Sequence, residues 1–252
     1  MAVVVGSVDS GTGRRYPGRR PDGAGVVGGP AGFGQTGRVT DQPALVQRVL
    51  GGAGVSLLNL VPVPLALARI LMLVENAVEN ARGGWGRLRD AAEADRYRAV
   101  RAAVERYAAD GFVLDVGCSQ GILQEGLRYR RYLGIDRYAP ALQRARGAGT
   151  PRTTFLAADA SSFVPDEAPD AVVLNEVLYY LPRPVRVVER YARLLAPGGV
   201  VVVSCYARTW PTRHLLRRLR RRLELVETVR VVAGPHAWEV AVLRPGVDRP
   251  QS

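Results

Sequence analysis

No part of the chain limits its fold as strongly as the nine residues from Val113 to Gly121. Four residues typical of a buried strand, Val-Leu-Asp-Val, run directly into a turn with small residues at Gly117, Ser119 and Gly121. A helix-compatible segment, Ile122 to Leu127, follows this turn. A strand that leads through a glycine-bearing turn brings the backbone close to a bound ligand in α/β proteins. We therefore predict a ligand site at this turn.

Two aspartates indicate what kind of ligand this is. Asp115 lies near the end of the first strand, and Asp136 follows 21 residues later, at the end of a second apolar strand, Tyr132 to Ile135. An acidic residue about 20 residues beyond such a turn can bind the ribose of a nucleotide. A dinucleotide fingerprint would carry a third glycine, and a phosphate-binding loop would carry a lysine. This turn has no third glycine three residues after Gly121, and the chain has no lysine, since all 35 of its basic residues are arginine.

What remains resembles motif I of the class I S-adenosylmethionine-dependent methyltransferases, D/E-x-G-x-G-x-G, with Ser119 at the middle glycine. Later segments resemble the strands of the same family, in the same order. They are Phe155–Ala160, Asp170–Glu176, Leu194 to Ser204, and the two runs Leu223 to Val232 and Trp238 to Leu243. The resemblance covers roughly residues 85–245. It implies a doubly wound, Rossmann-like α/β fold with a seven-stranded, mostly parallel sheet and a C-terminal antiparallel hairpin.

Helical periodicity between these strands supports that fold class. Pro182 to Leu195 places apolar residues at a spacing that forms one helix face, and Trp85 to Ala109 has a looser stripe of the same kind. Strands that alternate with helices pair in parallel through right-handed crossovers. Ligands of such sheets lie outside the carboxyl ends of the strands. The predicted strands place four polar residues at those ends, namely Asp115, Asp136, Asp159 and Asn175.

The resemblance implies S-adenosylmethionine as the cofactor and assigns roles to these residues. Gly117, Ser119 and Gly121 would approach its methionine part, with Asp115 orienting the loop or binding the ammonium group. Asp136 would accept hydrogen bonds from the ribose hydroxyls. Asp159, with Ala160 beside it, would contact the adenine, and Asn175 would bind the cofactor at a position that also faces the substrate. Asp136 and Asp159 are alternatively turn or helix caps.

The acceptor side follows the fourth strand. The string from Asn175 to Leu181 resembles that of the nodulation-type N-methyltransferases, which act on small molecules. Glu176 would then neutralise a cationic acceptor or take its proton, and Tyr180 would orient it. The alternative is a solvated Glu176 beside a core tyrosine. His214, one of only two histidines, is a further candidate base. No cysteine or histidine spacing predicts a metal site.

We expect methyl transfer to an N or O atom of a small-molecule acceptor, in secondary metabolism. One alternative is an RNA methyltransferase, because residues 208–222 carry seven arginines and no acidic residue along a predicted amphipathic helix. The chain lacks the Asn/Asp-Pro-Pro-Tyr/Phe string of amino-directed nucleic-acid methyltransferases, and this favours the small molecule. The other alternative is a cofactor-binding module without catalysis.

Composition divides the chain into three parts. Residues 1–54 are rich in glycine and arginine and are expected to be disordered. Residues 55–84 are expected to form an apolar helical segment that packs on the catalytic domain or covers its cleft as a lid, since their interruptions exclude a membrane span. The methyltransferase domain would occupy residues 85–252. Two cysteines and no signal peptide predict a cytoplasmic protein.

Overall fold

The computed structural model describes residues 86–246 without a break, together with isolated positions between residues 70 and 81. The predicted disordered extension, residues 1–54, lies outside the described residues. In the predicted lid segment the described positions, Ile70, Leu73, Val74, 76–79 and Ala81, are all helical. No helix among the described residues has both the length and the apolar character that crossing a membrane requires.

The described chain forms one sheet of seven strands in the order β3-β2-β1-β4-β5-β7-β6. Strands β1 to β5 are parallel, β7 runs antiparallel to β5, and β6 runs antiparallel to β7. This is the predicted seven-stranded sheet with its C-terminal hairpin. The strands are β1 Phe112–Val116, β2 Arg131–Asp136, β3 Thr153–Ala157, β4 Ala171–Asn175, β5 Val200–Tyr206, β6 Leu223–Ala233 and β7 His236–Pro245.

Within residues 86–246, four α-helices cover the two faces of this sheet: α1 Ala91–Ala108, α2 Ala139–Gly147, α3 Pro184–Arg193 and α4 Trp210–Arg222. Helices α1 and α2 bury their apolar residues in one core, and α3 and α4 bury theirs in a second core on the opposite face. Strand β1 contributes to both, because Val113 points into the first core and Leu114 into the second. The predicted doubly wound architecture is confirmed.

The connection between β1 and β2 differs from the prediction. The sequence suggests a helix from Ile122 to Leu127, but the structure has a single 3-10 turn, Ile122–Gln124. Left-handed backbone at Gly121 and Gly126, with φ of 71° and 75°, brackets this turn and prevents the helix from extending in either direction. The loop beyond β1 therefore lacks the helix that follows it in a typical dinucleotide-binding unit.

Candidate functional site

The turn after β1 forms the floor of the candidate site. Three of its residues, Gly117, Ser119 and Gly121, have left-handed backbone with φ of 77°, 47° and 71°. For a residue with a Cβ this conformation is strained, which explains why a glycine is usual where this chain has Ser119. A Cβ added at Gly117 would lie 2.4 Å from a methyl carbon of Val177, in the turn after β4. Close packing between these two turns therefore requires a glycine at position 117.

Asp136 fixes this turn from the end of β2. Its Oδ2 accepts a hydrogen bond of 2.9 Å from the backbone N–H of Ser119, and its Oδ1 accepts one of 2.9 Å from the N–H of Tyr138. The carboxylate remains partly exposed at the edge of the sheet. Asp136 thus orders the loop and caps the turn before α2. Each oxygen keeps a second lone pair for a ligand.

Asp115 lies beneath the same turn and is only 2% exposed. Its Oδ2 accepts a hydrogen bond from the hydroxyl of Tyr132, whereas its Oδ1 is buried without a hydrogen-bond partner among the described residues. Burial raises the pKa of this carboxyl group to about 7, opposed by the Tyr132 hydrogen bond and assisted by the negative charge of Asp136. A buried acceptor of this kind is costly unless a ligand supplies a donor.

Asp159 and Ala160 follow β3 at the same edge. Asp159 is exposed and closes a local turn, because its Oδ1 accepts a hydrogen bond of 2.7 Å from the N–H of Ser161. The carbonyl of Ala160 accepts hydrogen bonds of 2.9 Å from Arg190 and from the hydroxyl of Tyr191. Two side chains of α3 therefore hold this loop, and the second oxygen of Asp159 faces outward, 3.8 Å from Arg137.

Glu176 occupies the turn after β4 in a left-handed conformation, with φ of 59°. Its Oε1 accepts a hydrogen bond of 3.1 Å from the hydroxyl of Ser204, and its Oε2 accepts one of 3.1 Å from the hydroxyl of Tyr179. Burial raises the pKa of its carboxyl group to about 7, although the nearby Arg96 and both hydrogen bonds act to lower it. Strained backbone that aims a carboxylate in this way is typical of functional sites.

Arg96 is a residue of the candidate site that the sequence reasoning missed. It lies on the buried face of α1, 1% exposed, and donates hydrogen bonds to Glu93 and to the side-chain oxygen of Asn175. Its guanidinium carbon lies 4.5 Å from the ring centroid of Tyr97 and 5.8 Å from that of Trp238. One signal was available in the sequence: Arg96 stands four residues before the core residue Val100, on the apolar stripe of a helix.

The remaining candidates are Tyr180, in the 3-10 turn Leu178–Tyr180, and His214, in α4. The ring of Tyr180 packs edge to face against Tyr179, with 5.9 Å between ring centroids, which places it beside the turn that carries Glu176. His214 lies within α4, and its ring contacts Trp210 at 6.5 Å. The structure thus brings Asn175, Glu176 and the tyrosine pair together, whereas the described contact of His214 is with Trp210 and not with Glu176.

Known proteins match the part of the chain that contains this site. A family model described as a methyltransferase domain matches residues 92–241. The trans-aconitate 2-methyltransferase of Methylobacterium radiotolerans is 30% identical over 143 residues, which are 55% of this chain and 50% of that protein. The ubiquinone biosynthesis O-methyltransferase of Alkalilimnicola ehrlichii is 32% identical over 146 residues, which are 54% of this chain and 57% of that protein. The chain thus spans about half the length of these curated relatives.

A solved structure gives the same result for the fold. The N-methyltransferase NodS of Bradyrhizobium japonicum, in complex with S-adenosyl-L-homocysteine, superposes with a TM-score of 0.60 and 25% sequence identity. The match covers 69% of this chain and 98% of NodS. Because the family model spans more than half of the residues and includes every strand of the parallel sheet, this chain belongs to the methyltransferase-domain family.

Proposed function

We propose that this protein transfers a methyl group from S-adenosylmethionine to an N or O atom of a small-molecule acceptor. The observation that carries the proposal is the arrangement of Asp115 and Asp136 around one left-handed turn. Asp115 offers a buried, unpartnered oxygen beneath the turn, and Asp136 offers a partly exposed carboxylate above it. A cationic ligand group would satisfy the first carboxylate, and a pair of hydroxyl donors would satisfy the second.

The chemistry of these residues fits that of the cofactor. The ammonium group of its methionine part would pair with Asp115, and its ribose hydroxyls would donate to Asp136. Asp159 would accept from the adenine amino group at the edge of β3. S-adenosylmethionine supplies a methyl group on a positively charged sulfur, which a nucleophile can displace in line. The binding of S-adenosyl-L-homocysteine by the similar NodS supports this choice of cofactor.

The protein's own part in the reaction is to align the acceptor and to hold its proton. A lone pair on the acceptor N or O forms the new bond to the methyl carbon, while the carbon–sulfur bond breaks and its electron pair stays on sulfur. The acceptor's proton passes to the carboxylate of Glu176, and Tyr180 orients the acceptor. Alignment is worth about 7–11 kcal/mol in favourable cases. A positioned base contributes about 10²- to 10⁴-fold more.

A carboxylate at Glu176 favours acceptors that carry an amine or a hydroxyl over acceptors that carry a carboxylate. An anionic acceptor would meet like charge in a site where burial weakens screening. The similarity to an N-methyltransferase and to an O-methyltransferase supports an N or O atom as the acceptor, and participation in secondary metabolism is part of the proposal.

The test is incubation of the full-length protein with S-adenosylmethionine and pools of small amines, alcohols and phenols. Mass spectrometry would detect products heavier by one methylene group, and trans-aconitate serves as a carboxylate comparison.

We expect a Glu176→Gln variant to bind S-adenosylhomocysteine like the wild type but to transfer methyl groups about 10²- to 10⁴-fold more slowly. If calorimetry detects no heat of binding of S-adenosylhomocysteine, the cofactor assignment is contradicted. Cofactor binding without turnover of any pool would favour a non-catalytic module.

A second candidate function rests on the outer face of α4. Arg213, Arg217, Arg218 and Arg221 are all exposed there, and only Arg220 and Arg222 of this helix have acidic partners among the described ion pairs. An RNA methyltransferase would use this face to bind phosphates. RNA affinity should then fall steeply with salt and fall further in an Arg217→Ala/Arg218→Ala double variant. Weak binding that is insensitive to both changes would remove this candidate.

Two expectations about the whole chain complete the proposal. Residues 55–84 would pack on the catalytic domain or cover its cleft as a lid, and either position would shelter the apolar side chains of Ile70, Leu73 and Val74, which are exposed. A cytoplasmic location would be consistent with two free, buried cysteines, Cys118 and Cys205.

A further inference from the structure

A fully buried arginine stands behind the acceptor side of the site. Helix α1 directs Arg96 inward between the rings of Tyr97 and Trp238, at 4.5 and 5.8 Å from their centroids. Its Nε donates a hydrogen bond of 2.8 Å to Glu93, and its Nη1 donates to the side chain of Asn175, the last residue of β4. Burying a guanidinium is costly unless its charge is compensated. Here the carboxylate of Glu93 compensates the charge, and Asn175, at the site itself, accepts a further hydrogen bond.

The charge of Arg96 also acts on Glu176, the neighbour of Asn175. Among the influences on the carboxyl group of Glu176, burial is the largest and the attraction of Arg96 is the second, and the two oppose each other. Burial lowers the pKa of Arg96, but the carboxylates of Glu176 and Glu93, together with Tyr97, leave that pKa above its ordinary value. Arg96 and Glu176 therefore stabilise each other in their charged forms.

The other groups around Glu176 do not supply this positive charge. Tyr179 donates a hydrogen bond from the 3-10 turn Leu178–Tyr180. Cys205 and Tyr206 on β5 are titratable groups that are neutral in their protonated forms and respond to the charge of Glu176. Glu93 on α1 adds negative charge and raises the pKa of Glu176. Among the described neighbours of Glu176, Arg96 is thus the cation that favours the ionised form of its carboxyl group.

We propose that Arg96 is a positioning residue, which holds Asn175 in place and keeps the carboxylate of Glu176 ready to take the acceptor's proton. The inference rests on the proposed function, in which Glu176 receives that proton. Arg96 itself does not touch the acceptor, because its side chain is buried and its nitrogens are engaged by Glu93 and Asn175. Its partner Glu93 works in the opposite direction, so the two residues have opposite effects on the charge of Glu176.

The test measures the titration of Glu176 directly and needs no acceptor. The full-length protein is labelled with ¹³C at its glutamate carboxyl carbons, and the resonance lost in the Glu176→Gln variant assigns the residue. In Arg96→Met we expect the midpoint of this resonance to rise by about one pH unit or more, because the opposing charge is gone. In Glu93→Gln we expect it to fall. Arg98→Met is the matched control, since Arg98 lies on the same helix but is 73% exposed and pairs with Asp95.

The proposal would be supported if the titration midpoint of Glu176 rises in Arg96→Met, falls in Glu93→Gln and does not change in Arg98→Met. An Arg96→Met midpoint equal to that of Arg98→Met would overturn it. If Arg96→Met does not fold, Glu93→Gln decides, since a midpoint that stays or rises contradicts the balance described above. For any acceptor found by the screen, the acid limb of the kcat profile should move with the midpoint. Calorimetry with S-adenosylhomocysteine on the same samples reports on the proposed function separately, so that the two failures can be distinguished.

Discussion

Replacing Asp115 with asparagine is expected to stabilise the free protein above neutral pH and to weaken cofactor binding at the same time. The reason is the burial of this carboxyl group, which raises its pKa from 3.8 to about 7. Above that pH the folded protein holds a negative charge in a place where one oxygen has no hydrogen-bond partner among the described residues. The Asp115→Asn variant keeps the shape of the side chain but removes the charge.

The sign and size of the effect on the free energy of unfolding follow from proton linkage. Because the folded state binds this proton more tightly than the unfolded chain, Asp115 favours folding at low pH. That contribution is lost progressively as the pH rises from about 4 through about 7. Each pH unit corresponds to about 1.4 kcal/mol, so the complete loss is about 4 kcal/mol. In the variant, an amide N–H₂ without an acceptor offsets part of this gain, by about 1–3 kcal/mol. This offset does not vary with pH. The change of the stability difference with pH therefore reports on the charge of Asp115 alone.

The assay is urea unfolding followed by circular dichroism, for the variant and the wild type, at several pH values from about 5 to about 8. We expect the stability difference to shift in favour of Asp115→Asn by about 1.4 kcal/mol per pH unit and to become constant above about pH 7. Asp95→Asn is the control for removing a carboxylate from the outer surface of α1, where the side chain is 43% exposed. A stability difference that does not change with pH would refute the reasoning.

The same variant tests the role of Asp115 in binding. A charge-assisted hydrogen bond is worth about 1.5–3 kcal/mol, so we expect S-adenosylhomocysteine to bind at least about tenfold more weakly to Asp115→Asn. Calorimetry at pH 8 measures this affinity on the protein used for unfolding. A variant that is more stable and binds less tightly would show that this charge is retained for function at a cost in stability. Unchanged affinity would remove Asp115 from the site.

Substitutions of Gly117 and Asp136, with Gly126→Ala as a control, test what supports the turn after β1. Gly117→Ala should destabilise the protein by more than about 1–3 kcal/mol in urea unfolding, since it adds a clash with Val177 to the strain of a left-handed backbone. Gly126→Ala, with φ of 75° and no described atom within 4 Å of the added Cβ, should show the strain alone, so equal losses would contradict the clash. Asp136→Ala should weaken S-adenosylhomocysteine binding at least about tenfold, because the N–H of Ser119 and the ligand both lose an acceptor. An affinity equal to that of the wild type in calorimetry would overturn the role of Asp136.

The sheet was predictable because its sequence signals are local and repeated. Each parallel strand is a short apolar run followed by a polar or small residue, and the connection Ala233-Gly234-Pro235 fixes a hairpin. The structure confirms all seven strands, with ends that differ from the predicted ends by a few residues. It extends β5 to Tyr206 and begins β7 at His236, because the antiparallel pairing continues past the apolar run.

The site was predictable only in part, because its decisive contacts join residues far apart in the chain. The carboxyl-end rule placed Asp115, Asp136 and Asn175 at one edge, where the structure has them. It did not predict that Tyr132 donates to Asp115 or that Ser204 donates to Glu176, since both pairs depend on the register of neighbouring strands. Both donors are polar side chains on buried strands, and such side chains need partners.

Helix α1 has a part in the site that follows from the short connection after β1. In place of a crossover helix, the loop has one 3-10 turn, and its carbonyls need donors from elsewhere. Arg101 of α1 supplies them, with hydrogen bonds of 2.7 Å to the carbonyl of Ile122 and 3.0 Å to that of Leu123. Five residues earlier on the same helix, Arg96 donates a hydrogen bond to Asn175 at the end of β4. One helix therefore contacts both halves of the candidate site, so a small shift of α1 would move the turn after β1 and the turn of Glu176 together.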